Sequence, residues 1–187
     1  MVDQVFCTES WISKVARKEA DRDRLRLSER LGELFAVLII SLIGIYFISL
    51  QVNDTGFFTS SFSNFDVVPF YGALFYGVVP SLARAIWGRR NRIRPFEIIG
   101  NGLFIISGSY FLTHWSFDFS NFSHGLPHSL QSILSWVTDA IAQDLLLLAV
   151  VITFFVAAWT SAQYYFVRGE LQARERAKAG DKPSYPQ

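Results

Sequence analysis

The histidines of this chain fall in one short segment, and a carboxylate lies among them: His114, Asp118, His124 and His128. Imidazole and carboxylate groups together can ligate zinc or copper, so the segment is a candidate metal site. The spacing matches no standard zinc motif, and Gly125 and Pro127 interrupt the helix that an i,i+4 histidine pair would need. We therefore expect surface or capping histidines, and we predict no metal and no cofactor.

A second candidate is a row of small and polar residues inside an apolar run: Glu97, Gly100, Asn101, Ser107 and Gly108. At about 100° per residue they share one face of a helix, and the opposite face is branched and aliphatic. Such a face lets two helices approach closely and form hydrogen bonds across the contact, which is our preferred interpretation. The alternative is a face that lines a pore or cavity, with Glu97 and Asn101 along a central path.

Two pairs of opposite charge stand at i,i+3 spacing, Arg30 with Glu33 and Arg94 with Glu97. We predict an ion pair at each place, worth less than about 1 kcal/mol if exposed. Around them the sequence has no phosphate-binding glycine loop, no nucleophile elbow and no HExxH motif. These observations predict a protein that is not an enzyme.

The elements that carry these residues are four long apolar runs, at about residues 34–50, 67–87, 97–113 and 144–166. About 20 apolar residues suffice to cross about 30 Å of hydrocarbon, and a lipid-exposed backbone must be helical to satisfy its hydrogen bonds. Half of the chain, 51%, is hydrophobic. The sequence therefore predicts an all-α integral membrane protein, a bundle of four transmembrane helices. Pro80 should kink the second of them.

Charge is distributed unevenly between the ends of these runs. The seventeen lysines and arginines lie before the first run, at or after the end of the second, and after the fourth. The connections 51–66 and 114–144 carry acidic residues and no basic one. By the positive-inside rule, both termini are then cytoplasmic. We divide the chain into a charged helical arm, 1–33, a transmembrane domain, 34–168, and a tail, 169–187.

The segments that flank the apolar runs suggest further structure. Residues 8–32 are expected to form one charged helix leading into the first span, and Arg168 to Ala179 should continue the fourth. Phenylalanines crowd both acidic connections, where they could form an aromatic cap on the helix ends or a surface that a partner or lipid covers. Apolar residues at helical spacing from Leu130 to Ile141 predict an amphipathic helix that continues or kinks into the fourth span.

The chain also shows signs of internal duplication. Arg94-x-x-Glu97 follows Arg30-x-x-Glu33 by sixty-four positions, and at the same offset Gly44-x-Tyr46-Phe47 recurs as Gly108-x-Tyr110-Phe111. The tetrapeptide Phe-Ser-Asn-Phe occurs at 62–65 and again at 119–122. These repeats favour a tandem duplication of a helical hairpin, with its two copies in parallel orientation.

Together these patterns favour a non-enzymatic subunit, sensor or effector of a membrane complex. We expect its basic cytoplasmic arms to engage a cytosolic protein, and the chain to form a homo-oligomer or a hetero-complex. The basic surface should also attract anionic lipid headgroups of the inner leaflet. Nothing interleaves aromatic with basic residues in the manner of a nucleic-acid site, so we predict no nucleic acid. The alternatives are a small oligomeric channel or transporter lined by the polar face of the third span and, if the histidines bind metal, an enzyme.

Overall fold

The computed structural model describes residues 11–21, 23–123, 125–126, 128–134 and 136–178. In these ranges the regular structure is helical, apart from two isolated β-bridges and a 3-10 turn at Phe119–Asn121. The helices are α1 Trp11–Asp21, α2 Leu27–Val52, α3 Asn64–Tyr76, α4 Val78–Trp87, α5 Arg90–Thr113, α6 His128–Leu134 and α7 Asp139–Lys178.

Four helical stretches are long and apolar enough to cross a membrane: Leu27–Val52, Asn64–Trp87, Arg90–Thr113 and Asp139–Ala173. Each contains one of the four predicted spans, so the prediction of an all-helical chain with four such helices is confirmed. At the start of α2, the start of α5 and the end of α7, the helices extend beyond the apolar runs through arginine and glutamate, which are good helix formers. The predicted continuation of the fourth helix is also present, since α7 runs to Lys178.

The second of these stretches is broken at Gly77, between α3 and α4. A proline ring clashes with the carbonyl of the residue four positions earlier, and for Pro80 that residue is Tyr76, where α3 ends. Pro80 then occupies the first turn of α4, where a missing N–H costs no helical hydrogen bond. The helical hydrogen bonding is therefore interrupted where the kink is predicted, while Gly77 itself keeps a helical backbone, with φ −56° and ψ −25°.

The expected single helix over residues 8–32 was wrong, because α1 ends at Asp21 and α2 begins at Leu27. The backbone between them bonds to the turn after α4 instead of continuing the helix. The Leu25 amide donates to the Gly88 carbonyl at 2.9 Å, and the Arg90 amide donates to the Asp23 carbonyl at 2.8 Å. Gly88 can make this turn because its φ is 61°, in the left-handed region that favours glycine.

The predicted amphipathic helix before the fourth span is also divided. α6 ends at Leu134, and α7 begins afresh at Asp139. The Asp139 carboxylate accepts a hydrogen bond from the Phe119 amide at 2.8 Å, which attaches the start of α7 to the 3-10 turn. A carboxylate near a helix N-terminus is also favoured by the helix dipole. The apolar face expected to run on to Ile141 is thus shared between two helices.

The long helices contact one another in chain order. α2 packs on α4 and α3, these pack on α5, and α5 packs on α7, while α1 also packs on α7. α2 and α7 are not closely packed on each other. We call the end with α1, the turn 88–90 and the last turns of α7 the arginine end, and the end with the connections 53–63 and 114–126 the aromatic end.

Candidate functional site

At the arginine end, one guanidinium joins three helices. Arg84 of α4 forms ion pairs with Glu33 of α2, at 2.9 Å from Nε to Oε1, and with Glu97 of α5. All three side chains are mostly buried. A single positive charge therefore holds two carboxylates that would otherwise repel each other in a partly dry environment.

A second set of ion pairs ties the arm to the same place. Arg94 of α5 is 6% exposed, and its Nη2 lies 3.1 Å from Glu19 Oε2 of α1. The Arg90 guanidinium pairs with Glu29 of α2 at 2.7 Å. Since an unpaired buried charge is strongly destabilising, Glu19 keeps α1 in register with α5.

These charged groups surround a polar cavity of about 320 Å³. Its lining consists of Glu19, Glu33, Arg84, Arg90, Arg94, Glu97, Thr160 and Gln163. Three basic and three acidic side chains balance one another, so the polar cavity has no net charge of one sign to concentrate an ion. Its chemistry fits a structural junction of α1, α2, α4, α5 and α7.

Three of the four residues of the predicted i,i+3 ion pairs are paired elsewhere. Glu33 and Glu97 share Arg84, and Arg94 pairs with Glu19. Arg30 packs its guanidinium against the Cα of Gly88, and its Nε is enclosed with no hydrogen-bond partner among the described residues. The physical reason is the packing of the helices, which brings Arg84 between Glu33 and Glu97 and Arg94 to Glu19, and the basic-before-acidic order is also the less favourable one for a local pair.

The row of small and polar residues on α5 lies at helix contacts. Gly100 faces the ring of Tyr76, and a Cβ there would come within 3.1 Å of it. The Ser107 hydroxyl donates to the Pro69 carbonyl of α3 at 2.8 Å. Gly108 packs against Val150 of α7 so closely that a Cβ would overlap the valine side chain. Asn101 of the same row is partly buried.

At the aromatic end, the phenylalanine-rich connections fold into a cap on the helix ends, as one of the two sequence interpretations proposed. The connections are joined by an antiparallel bridge, in which the Thr59 amide donates to the Ser116 carbonyl at 3.1 Å and the Asp118 amide to the Phe57 carbonyl at 2.8 Å. Phe57 is 1% exposed. The core of this cap is Leu50, Phe57, Phe111 and Phe117.

One buried carboxylate, Asp66, is not among the residues predicted from the sequence, and it is 3% exposed. It accepts hydrogen bonds from the Tyr110 hydroxyl at 2.5 Å and from the amide and hydroxyl of Ser63 at 2.6 and 2.9 Å. The local signal was present, since Ser63 and Asp66 have the spacing of a capping box at the start of a helix. Tyr110 lies forty-four residues further along the chain, so no local sequence pattern predicts its contact with Asp66.

The structure does not gather the candidate metal ligands that it describes. The His114 ring stacks on Tyr110 at 4.8 Å between centroids. The Asp118 carboxylate accepts from the Ser120 amide at 3.0 Å and so caps the 3-10 turn. His124 and the side chain of His128 lie outside the described residues. Within the described part of the chain, no three histidine, cysteine or acidic residues are grouped to hold a metal ion.

An apolar cavity of about 680 Å³ lies between α2, α3, α5 and α7, below the aromatic cap. Ser107 and Gly108 contribute to its wall, but aliphatic and aromatic side chains form most of it. Trp115 lines it at the aromatic end, and the indole Nε1 is enclosed without a hydrogen-bond partner among the described residues. A buried donor without a partner costs free energy.

No protein-family model, curated protein or solved structure matches this chain.

Proposed function

We propose that this protein crosses a membrane four times as a helical bundle, with the arginine end in the cytoplasm. We further propose that it is a non-enzymatic subunit, sensor or effector of a membrane complex that binds a partner through its basic arms. The orientation rests on the segregation of lysine and arginine to one end of the helices.

The main support is the docking of α1 onto the end of α7. Ala20 and Val167 are buried against each other, and Leu171 packs on them. Glu19 adds the ion pair to Arg94. α1 and the last turns of α7 thereby form one surface that is attached to α5 and α7. A partner bound to α1 would therefore act directly on two membrane spans.

The charges left on this surface favour an acidic partner. Arginines at the helix junction form ion pairs with four glutamates: Glu19, Glu29, Glu33 and Glu97. Many basic side chains remain exposed around the junction: Lys14, Lys18, Arg24, Arg26, Arg89 and Arg92. Such a patch accelerates association with an acidic protein surface and also attracts anionic headgroups.

The test is purification from native membranes in mild detergent, followed by measurement of the mass and composition of the complex. We expect a complex larger than one chain, containing a cytosolic protein that is lost in the variant Lys14→Glu/Lys18→Glu. The variant Lys14→Arg/Lys18→Arg, which keeps the charge, should retain the partner. A lone monomer from native membranes, or equal retention by both variants, would contradict the proposal.

A small channel or transporter is the second candidate, because Ser107 and Gly108 of α5 line a cavity between the spans. The engagement of Gly100, Ser107 and Gly108 in helix contacts disfavours it as a path through a single chain. Ion flux into liposomes containing the purified protein would support this candidate, provided that Glu97→Gln or Asn101→Leu changes the flux.

A further inference from the structure

We propose that Arg24 and Arg89 together bind the headgroup of an anionic membrane lipid that ends in a phosphate monoester. The proposal rests on the insertion of the four helices in a membrane, and it assigns the general attraction of the arginine end for anionic headgroups to one site. It does not depend on the cytosolic partner.

The backbone holds these two arginines opposite each other. The hydrogen bonds between the segment after α1 and the turn 88–90 flank an antiparallel bridge between Arg24 and Arg89. Residues that face each other in such a bridge have Cβ atoms about 5 Å apart, and their side chains lie on the same face. Both side chains are exposed. The two guanidinium groups are therefore within reach of one small ligand.

The fold does not use the charge of this pair. The bridge is made by backbone hydrogen bonds, and like charges directly opposite each other in a bridge repel. In the part of the chain that the structure describes, neither arginine forms an ion pair. Two neighbouring carboxylates are bonded elsewhere, since Asp23 accepts from the Asn91 amide at 2.8 Å and Glu29 pairs with Arg90. An anion from outside the chain would relieve the repulsion.

The charge and geometry of the pair fit a phosphate monoester. Each guanidinium can donate two parallel hydrogen bonds to phosphate oxygens. A phosphate monoester offers three acceptor oxygens and a charge of about −1.5 to −2 at neutral pH, whereas a phosphodiester carries a single negative charge. The monoester can therefore bond to both arginines at once and neutralise them.

Exposed apolar side chains near the pair favour a lipid over a soluble phosphate. Trp87, the last residue of α4, is 48% exposed and lies two positions before Arg89. Leu27, at the start of α2, is 77% exposed and follows Arg24 by three positions. Tryptophan at the end of a membrane helix is typical of the interface between headgroups and hydrocarbon. The arginine pair then lies at the height of the headgroups, and acyl chains can cover Trp87 and Leu27.

Native mass spectrometry of the full chain in detergent, titrated with lipid, tests the proposal. The wild type should bind dioleoyl phosphatidic acid about tenfold more tightly than dioleoyl phosphatidylglycerol, which has the same acyl chains but a phosphodiester headgroup. This preference should disappear below about pH 5, where the monoester keeps one charge and arginine stays protonated. Glycerol 3-phosphate, a soluble monoester, should not displace the lipid at equal concentration.

Two matched variants locate the site. Arg24→Gln/Arg89→Gln should bind both lipids equally. Lys14→Gln/Lys18→Gln, which removes the same charge from exposed positions of α1, should keep the preference. If the double arginine variant does not fold, Arg89→Gln alone should lose most of the preference.

Equal binding of the two lipids by the wild type would overturn the proposal, and so would a preference that survives the loss of both arginines. Displacement by an equal concentration of glycerol 3-phosphate would assign the pair to a soluble phosphate instead. A chain that retains its cytosolic partner but shows no lipid preference would contradict this proposal alone. A chain that shows the preference without a partner would contradict only the proposed partner.

Discussion

Single residues carry the two polar junctions that hold the long helices together. Arg84 is bonded at once to α2 and α5, and Asp66 links the start of α3 to Tyr110 near the end of α5. Each is a polar group in a mostly apolar surrounding, where a lost partner leaves another group unsatisfied. Their replacement should therefore cost more than the replacement of an exposed residue of the same type.

The first prediction concerns Arg84. Arg84→Met should lower the free energy of unfolding by about 2–4 kcal/mol, because Glu33 and Glu97 would face each other unpaired. Thermal unfolding in detergent, followed by intrinsic fluorescence, measures the change. The exposed Arg89 supplies the control, and Arg89→Met should shift the midpoint little. Adding Glu97→Gln to Arg84→Met should restore part of the loss, and a lack of any recovery would argue against charge repulsion as the cause.

The second prediction concerns the buried carboxylate. Tyr110→Phe should destabilise the protein by about 1–3 kcal/mol, since Asp66 would lose one of its hydrogen bonds in a buried position. Tyr71→Phe is the matched control, because the Tyr71 hydroxyl donates to Gln51 in an exposed bond at 2.8 Å. The same thermal unfolding measurement applies. Equal effects of the two substitutions would show that burial does not strengthen the contact with Asp66.

Among the elements, the contact between α5 and α7 depends most clearly on a small residue. Gly108 leaves space for the Val150 side chain because it has no Cβ. Gly100, on the same face of α5, packs against the ring of Tyr76. Close approach of two helices in this way increases their dispersion contacts, which is the main force between helices inside a membrane.

The third prediction tests this contact. Gly108→Ala should destabilise the protein or weaken the packing of α7, because the added methyl group overlaps Val150. Gly102→Ala, in the same helix but with no atom within 4 Å of its added Cβ, should be neutral or stabilising, since alanine favours a helix by up to about 1 kcal/mol. Thermal unfolding compares the two variants. The change Val150→Ala should rescue Gly108→Ala, and failure to rescue would place the strain elsewhere.

At the scale of the whole molecule, α1, the turn 88–90 and the end of α7 meet at the arginine end. The connections rich in phenylalanine meet at the aromatic end. This arrangement agrees with the segregation of basic residues along the sequence. The proposed orientation places the aromatic end outside the cytoplasm and the arginine end inside it.

The fourth prediction is the accessibility of the two ends. In a Cys7→Ser background, a membrane-impermeant thiol reagent should label Ser60→Cys in intact cells or spheroplasts. Lys18→Cys should be labelled only after the membrane is permeabilised. Both positions are exposed, so burial does not explain a difference between them. Labelling in the opposite order would invert the topology and remove the basis for a cytosolic partner.

The sequence by itself determined the four apolar helices and the separation of charge between their ends. Both properties follow from runs of neighbouring residues, because hydrocarbon requires a long apolar helix and positive charge remains on one side. The aromatic cap was one of two options that composition left open. The proposed duplication of a hairpin stays a prediction.

Only the tertiary structure decided which charges pair, where the helices break and that an apolar cavity lies between the helices. Arg84 reaches Glu33 across fifty-one positions, and Glu19 reaches Arg94 across seventy-five. These distant partners compete with the local i,i+3 neighbours for the same charged groups. The packing of whole helices decides which of the two pairings forms. The break after Asp21 arises for the same reason, since backbone hydrogen bonds to the distant turn at Gly88 replace the local ones of a continuous helix.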